Sequence, residues 1–171
     1  ILCVGRDIGR DWKTLLEALG TLGLPAKVVT YAHRVDGLSI PPNVELHTEK
    51  VEYPSLLDWY RRARLVIVNP QEAHRFTGQR ALLEALAIGK ATVVARTRAV
   101  MSTYLLEDGH HVVFYEPGNT ESLTHAVQSI YRDFEKCQTL GRDGRLFVQQ
   151  LPKRAFAHGL RQVILDSLQQ R

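Results

Sequence analysis

Hydrophobic and polar positions fall into two alternating kinds of segment. Short runs rich in Val and Ile recur at Ile1–Val4, Lys27–Thr30, Val44–Leu46, Leu65–Val68, Thr92–Ala95 and Val112–Tyr115. They lack the polar alternation of a sheet with one wet face, so they read as strands covered on both sides. Between them lie helical patterns: "DWKTLLEALGTLG", "YPSLLDWYRRAR", "TGQRALLEALAIG" and "AVMSTYLLEDG". Strand and helix alternate from the start, which predicts a parallel sheet joined by right-handed crossovers. After Tyr115 the pattern is helical alone: "EPGNTESLTHAVQSIYRDF", "CQTLGRDGRLFVQQ" and "PKRAFAHGLRQVILDSLQQR". Asn119 or Thr120 is placed to cap the first of these, and Pro152 to open the last. The expected fold is α/β, a three-layer, Rossmann-like doubly wound parallel sheet. No repeat, low-complexity tract or linker divides the chain, so residues 1–171 are expected to form one domain.

Composition narrows the function. At 171 residues, 44% hydrophobic and 23% charged, the chain has the balance of a globular domain able to bury one core. Its 22 Lys and Arg against 18 Asp and Glu give a formal charge of +4. That excess suits a phosphorylated ligand or an acidic membrane surface without demanding either. Nucleic acid is disfavoured as a partner, because the basic residues are scattered and no Lys/Arg run interleaves with aromatics. Cys3 and Cys137 show no metal-ligand spacing and read as small buried hydrophobes, so a reducing cytoplasm is the expected setting. No apolar run nears the ~20 residues that span a bilayer, which leaves peripheral membrane contact open. The opening "ILCVG", without a methionine, is what a piece of a longer protein is expected to show.

Two stretches carry candidate chemistry. In "VGRDIGRDWKTLLEAL" a glycine ends the first strand, and a helix begins at about Asp11 or Trp12. Ligands of doubly wound sheets sit outside the carboxyl ends of the strands, so this loop faces the expected site. Arg6 and Lys13 beside a helix start would form a receptor for a diphosphate. Equally, Arg6, Arg10 and Lys13 are open to reading as ordinary solvated charges. Neither a P-loop nor a G-x-G-x-x-G fingerprint is present.

The second stretch is "HRFTGQRALLEALAIGK", His74 to Lys90. Thr77, Gly78 and Gln79 precede the apolar helix, and a glycine there lets phosphate oxygens reach bare amides. Glu84 falls in the second turn, where a carboxylate can accept hydrogen bonds from the vicinal hydroxyls of a ribose. The residues alone also allow Glu84 to be simply the wet side of a helix lying on a sheet.

"LLEALAIGKATVVA" followed by "YLLEDGHHVVFYEPGNTESLTHAV" resembles the signature of the carboxy-terminal domain of GT-B fold glycosyltransferases, in the large retaining family four. "GRD…RDWKTLLEAL" is similar to that family's first strand with its Gly-Arg and downstream Lys. "LLDWYRRARLVIVNP" is similar to its Tyr-containing helix and the strand ending in Pro. The four pieces occur in order across essentially the whole chain. The resemblance implies that Arg6 and Lys13 hold the diphosphate of a nucleotide diphosphate sugar and that Glu84 binds the ribose. It also implies that the backbone of Val51, Glu52 and Tyr53 borders the base, and that Thr77, Gly78 and Gln79 complete the phosphate cradle. Such enzymes transfer a sugar with retention of configuration, usually without a metal or other cofactor, and bind the acceptor on an amino-terminal domain absent from this chain. The isolated domain is therefore expected to bind donor and to transfer nothing.

There are departures from the pattern. Phe76 stands eight positions before Glu84, where the family commonly has a glutamate touching the sugar, leaving Glu72, His74 or Arg75 as substitutes. The Gly-Lys-Pro turn reads Gly89-Lys90-Ala91, and the loop at Asp108-Gly109 lacks its second glycine. A UDP-amino-sugar epimerase and a non-catalytic nucleotide-binding module are the competing readings. His110 and His111, as neighbours in an extended segment, are expected on opposite faces and not as metal ligands.

Overall fold

A computed structural model describes residues 1–73, 75 and 77–151. Six strands form one parallel sheet: β1 (Leu2–Val4), β2 (Ala26–Val29), β3 (Val44–His47), β4 (Leu65–Val68), β5 (Ala91–Ala95) and β6 (Val113–Tyr115). Their spatial order is β3-β2-β1-β4-β5-β6, with every neighbouring pair parallel. The chain therefore winds outward from β1 to β3, then returns past it to β4. That reversal leaves a crevice at the carboxyl ends of β1 and β4, where the connections leave in opposite directions.

All six expected strands form, each within about two residues of its Val/Ile run. The central strands are apolar throughout because both faces are covered. Leu65 and Ile67 of β4 join one buried cluster, and Val66 and Val68 the other. The first cluster takes in α1 (Trp12–Leu22) and α5 (Thr120–Tyr131); the second takes in Tyr60 of α2 (Tyr53–Arg62) and Leu82, Ala85 and Leu86 of α3 (Gln79–Ile88). The result is the three-layer α/β fold expected from the alternation. Cys3 and Cys137 are buried and free.

Caps explain the helix starts. Asp11 opens α1 by accepting from Thr14 N at 3.1 Å, and Asn119 opens α5 by accepting from Ser122 N at 2.8 Å. Asp133 does the same for α6 (Phe134–Gln150), accepting from Lys136 N at 2.9 Å. The helix expected from Ala99 to Gly109 is shorter: α4 covers Arg98–Thr103. Beyond it, Asp108 accepts from Phe114 N at 3.0 Å and pairs with Arg96 at 2.5 Å, holding the chain in a loop. The helix expected in "PKRAFAHGLRQVILDSLQQR" lies outside the described residues. Among the described residues, no helix is long and apolar enough to cross a membrane.

Candidate functional site

A cleft of about 630 Å³ opens at the crevice between β1 and β4. Val4 and Gly5 end β1 on its floor and Val29 ends β2. Val51, Tyr53 and Leu56 form the wall at the start of α2, and Thr77 to Ala81 with Glu84 form the wall of α3. Of the residues singled out in the sequence, Arg6, Val51, Tyr53, Thr77, Gly78, Gln79 and Glu84 meet on this lining. Two do not. Lys13 is exposed in the first turn of α1, and Glu52 caps α2 with its carboxylate turned to Lys50 at 3.0 Å, its side chain 74% exposed.

The amino end of α3 is built to leave amides bare. Gly78 is its N-cap with φ +92°, and no side chain caps the helix. A side chain at that φ would be strained, and glycine alone adopts it freely. The loop holding Gly78 is tied across to the loop after β1: Thr77 Oγ1 donates to the Gly9 carbonyl at 2.5 Å.

Arg10 makes the deeper tie. It is 3% exposed, so it is neither a solvated charge nor a surface residue. Its Nε donates to Asp7 at 3.0 Å, Nη1 to Asn69 Oδ1 at 3.2 Å and Nη2 to the Val4 carbonyl at 3.0 Å. The guanidinium lies against both Gly5 and Gly78, and a Cβ on either would stand 2.8 Å from its Cζ. Hydrogen-bond capacity on both Nη atoms is left unspent, and the residue lines the cleft. Nothing in its spacing marks Arg10 out. The two glycines that make room for it are the only trace in the sequence, and they are informative once the two loops are known to touch.

Arg6 lies on the side of the cleft bordered by the loops after β2 and β3. It stacks over Tyr31, Cζ 4.8 Å from the ring centroid, and Nη2 donates to the Glu49 carbonyl at 2.6 Å. Tyr31 in turn stacks on His33 at 5.5 Å. Across the cleft, Glu84 has a side chain only 14% exposed, so it is not the wet side of its helix. It pairs with Arg80 at 2.8 Å, and Tyr60 lies buried beneath it. Burial first, and then the charge and hydrogen bonding of Glu84, hold the Tyr60 phenol well above its ordinary range. The lining carries four arginines, Arg6, Arg10, Arg75 and Arg80, against the carboxylates of Asp7 and Glu84. Such an excess of positive charge beside a helix start gives the cleft a potential favourable to anions.

Other candidates are placed elsewhere. Glu72 accepts from the Arg98 amide at 3.2 Å and from Arg98 Nε at 3.3 Å, so it serves the start of α4. Arg75 lines the cleft, while His74 and Phe76 lie outside the described residues. His110 and His111 sit in a turn and not an extended segment, which brings their rings to 4.6 Å on one side. His111 Nδ1 accepts from the Glu107 amide, and burial, with His110 beside it, lowers its pKa. Among the described residues, no three His, Cys, Asp or Glu come together to hold a metal.

Fold and cleft together define a doubly wound α/β domain with a glycine-capped helix start at its switch point. The family model for Glycosyl transferases group 1 matches residues 3–133, and the chain belongs to that family. HepE of Anabaena, solved with UDP, superposes with a TM-score of 0.70 at 19% identity, covering 99% of this chain and 49% of that one. Sucrose-phosphate synthase of Thermosynechococcus elongatus gives 0.78 at 19% identity, covering 99% and 46%. The C-terminal domain of LpcC, a glycosyl transferase group 1 family protein of Francisella tularensis, gives 0.72 at 16% identity, covering 88% and 84%. The chain thus spans about half the length of HepE and of the synthase, and most of the LpcC domain. No curated protein matches it.

Proposed function

We propose that this chain is the donor-binding, carboxy-terminal half of a GT-B glycosyltransferase that moves a sugar from a nucleotide diphosphate sugar with retention of configuration. The observation that carries this reading is the meeting of Glu84, Arg6 and the bare start of α3 in one cleft at the switch point. HepE, which shares the fold, has been solved with UDP and with UDP-glucose.

Each group then has a physical role. The Gly78 and Gln79 amides receive the phosphate oxygens, with the positive end of the α3 dipole behind them. Arg10 adds a fixed cation under Gly78, and Arg6 adds one from the base side. Lys13 is kept as a diphosphate residue by the family pattern alone, from the exposed first turn of α1. Glu84 accepts from the ribose hydroxyls, while the backbone near Val51, Glu52 and Tyr53 borders the base. As the sugar–oxygen bond breaks, negative charge gathers on the departing diphosphate, and preorganised donors there lower the barrier most. The acceptor, and the group nearest the reacting carbon on its other side, belong to an amino-terminal half. The two buried free cysteines fit a cytoplasmic setting, with any membrane contact peripheral.

Calorimetry of the chain with UDP, GDP and ADP sugars tests the proposal. Binding of one base series is expected without sugar transfer. A folded sample that binds none of the three overturns it.

A further inference from the structure

Arg80 and Glu84 stand four residues apart on α3, and both line the cleft. Arg80 Nε donates to Glu84 Oε1 at 2.8 Å, yet the two differ in setting: the arginine side chain is 78% exposed and the glutamate 14%. The same guanidinium lies 5.8 Å over the ring of Tyr53 on the facing wall. The carboxylate assigned to the ribose is therefore already engaged by a cation of the chain itself.

On its inner side the carboxylate has a second neighbour. Tyr60 is wholly buried, and its hydroxyl is close enough to Glu84 for the carboxylate's charge and hydrogen bonding both to act on it, although the alignment is poor and no other described residue partners it. One carboxylate thus stands between an exposed outer cation and a buried inner hydroxyl. An exposed pair at this spacing is weak, so displacing Arg80 from the carboxylate costs an incoming ligand no more than a few-fold in affinity. The inner hydroxyl gives the freed carboxylate a fixed neighbour to settle against, since a buried hydroxyl gains from a better-aligned acceptor.

We infer that Arg80 is a displaceable plug on the ribose subsite that sharpens its preference for nucleoside diphosphates over nucleosides beyond what the phosphate cradle supplies. The inference rests on Glu84 being the ribose acceptor. When the ligand enters, the vicinal hydroxyls take over Glu84 and Arg80 is released at the rim of the phosphate cradle, two residues past Gly78. A diphosphate supplies the released guanidinium with a new anionic partner. A bare nucleoside has to break the pair and offers nothing in exchange. To the discrimination made by the cradle is therefore added that of one cation, which opposes the sugar and favours the phosphates.

The test measures affinities of uridine against UDP, guanosine against GDP and adenosine against ADP for the unaltered chain, Arg80→Met and Arg80→Lys. Methionine keeps the stem and removes the charge at an exposed position, so the fold is expected to be unaffected. For the base series that binds, Arg80→Met is expected to bind the nucleoside two- to five-fold more tightly and the diphosphate about ten-fold more weakly. Arg80→Lys is expected to stay close to the unaltered chain. An unchanged ratio in Arg80→Met, or equal weakening of both ligands, overturns the role of Arg80. Glu84→Gln separates the two readings. If it binds both ligands as the unaltered chain does, the ribose assignment falls and takes this inference with it. If it weakens both while Arg80→Met leaves their ratio unchanged, the ribose assignment stands and only the plug is lost.

Discussion

The guanidinium of Arg10 occupies the ground that a side chain on Gly78 would need, its Cζ 2.8 Å from where that Cβ would stand. Arg10 cannot move aside cheaply, because Asp7, Asn69 and the Val4 carbonyl hold it. Gly78→Ala therefore meets two penalties, the clash and a left-handed φ of +92°. Gly5→Ala meets the same guanidinium at 2.8 Å without the left-handed backbone. Denaturant unfolding is expected to show Gly78→Ala less stable by about 2–4 kcal/mol and Gly5→Ala by about 1–3 kcal/mol, the scales of backbone strain and overpacking. Equal, negligible losses at both positions would show that Arg10 is not the rigid tie described here.

At the turn between α3 and β5, α6 approaches so closely that glycine is required for a different reason. A Cβ on Gly141 would overlap the Gly89 carbonyl oxygen, a backbone atom in the turn that leads into β5. A Cβ on Gly144 would stand 2.7 Å from Leu86 Cδ2, a side-chain tip able to turn away, and 2.9 Å from the His111 carbonyl. Alanine raises intrinsic helix stability by about 1 kcal/mol over glycine, which opposes the clash. Overpacking against fixed backbone costs more, typically ~1–3 kcal/mol and sometimes beyond. Thermal melts are expected to rank Gly141→Ala well below Gly144→Ala, and both below the unaltered chain. A Gly141→Ala variant more stable than its parent would mean that α6 does not pack on this turn.

Stability should fall on the alkaline side. Burial pushes the Cys3 thiol up to about 12 from an ordinary 9.0, and the Arg10 charge offsets only part of that. A raised folded pKa means that the native state holds its proton when the unfolded chain has lost it. This contribution is complete below pH ~9 and is lost as pH climbs from there toward ~12, by up to about 1.4 kcal/mol per pH unit. Tyr60 and Tyr115, also raised by burial, act in the same direction at higher pH. Urea titrations at pH 7.5 and pH 10 should show a smaller loss for Cys3→Ala than for the unaltered chain. An identical pH dependence would exclude Cys3 as its source.

Much of this was legible in the chain, for physical reasons that differ by element. The strands declare themselves because a strand buried on both faces has no room for polar side chains, as Leu65–Val68 shows. Gly78 was readable because a glycine at a helix start is a local feature, whereas Glu84 stood out only through the family resemblance, since its spacing equally allowed the wet side of the helix. Other features depend on where a loop turns a side chain. Tyr53 enters the cleft while its neighbour Glu52, equally plausible by spacing, turns to Lys50. The premature end of α4 depends on Asp108 reaching Phe114 N, and the burial of Arg10 on two loops meeting across β1 and β4. Those are contacts between residues distant in sequence or set by loop shape, and periodicity carries no record of them.

The ribose assignment predicts a preference that can be measured on one hydroxyl. Glu84 is only 14% exposed, and a charged acceptor that loses a hydrogen-bond donor in such a place forfeits roughly 1.5–3 kcal/mol. UDP, or the diphosphate of whichever base binds, is therefore expected to bind about ten-fold or more tightly than its 2′-deoxy analogue. Glu84→Gln retains shape but not charge, so it should weaken the ribonucleotide and shrink its advantage over the deoxynucleotide to a few-fold. Phosphate contacts are common to both ligands and drop out of the ratio. Competition calorimetry with the two diphosphates reads that ratio directly. If the unaltered chain binds both equally, the carboxylate is not clasping the 2′-hydroxyl, and another group of the cleft has to be sought for the sugar.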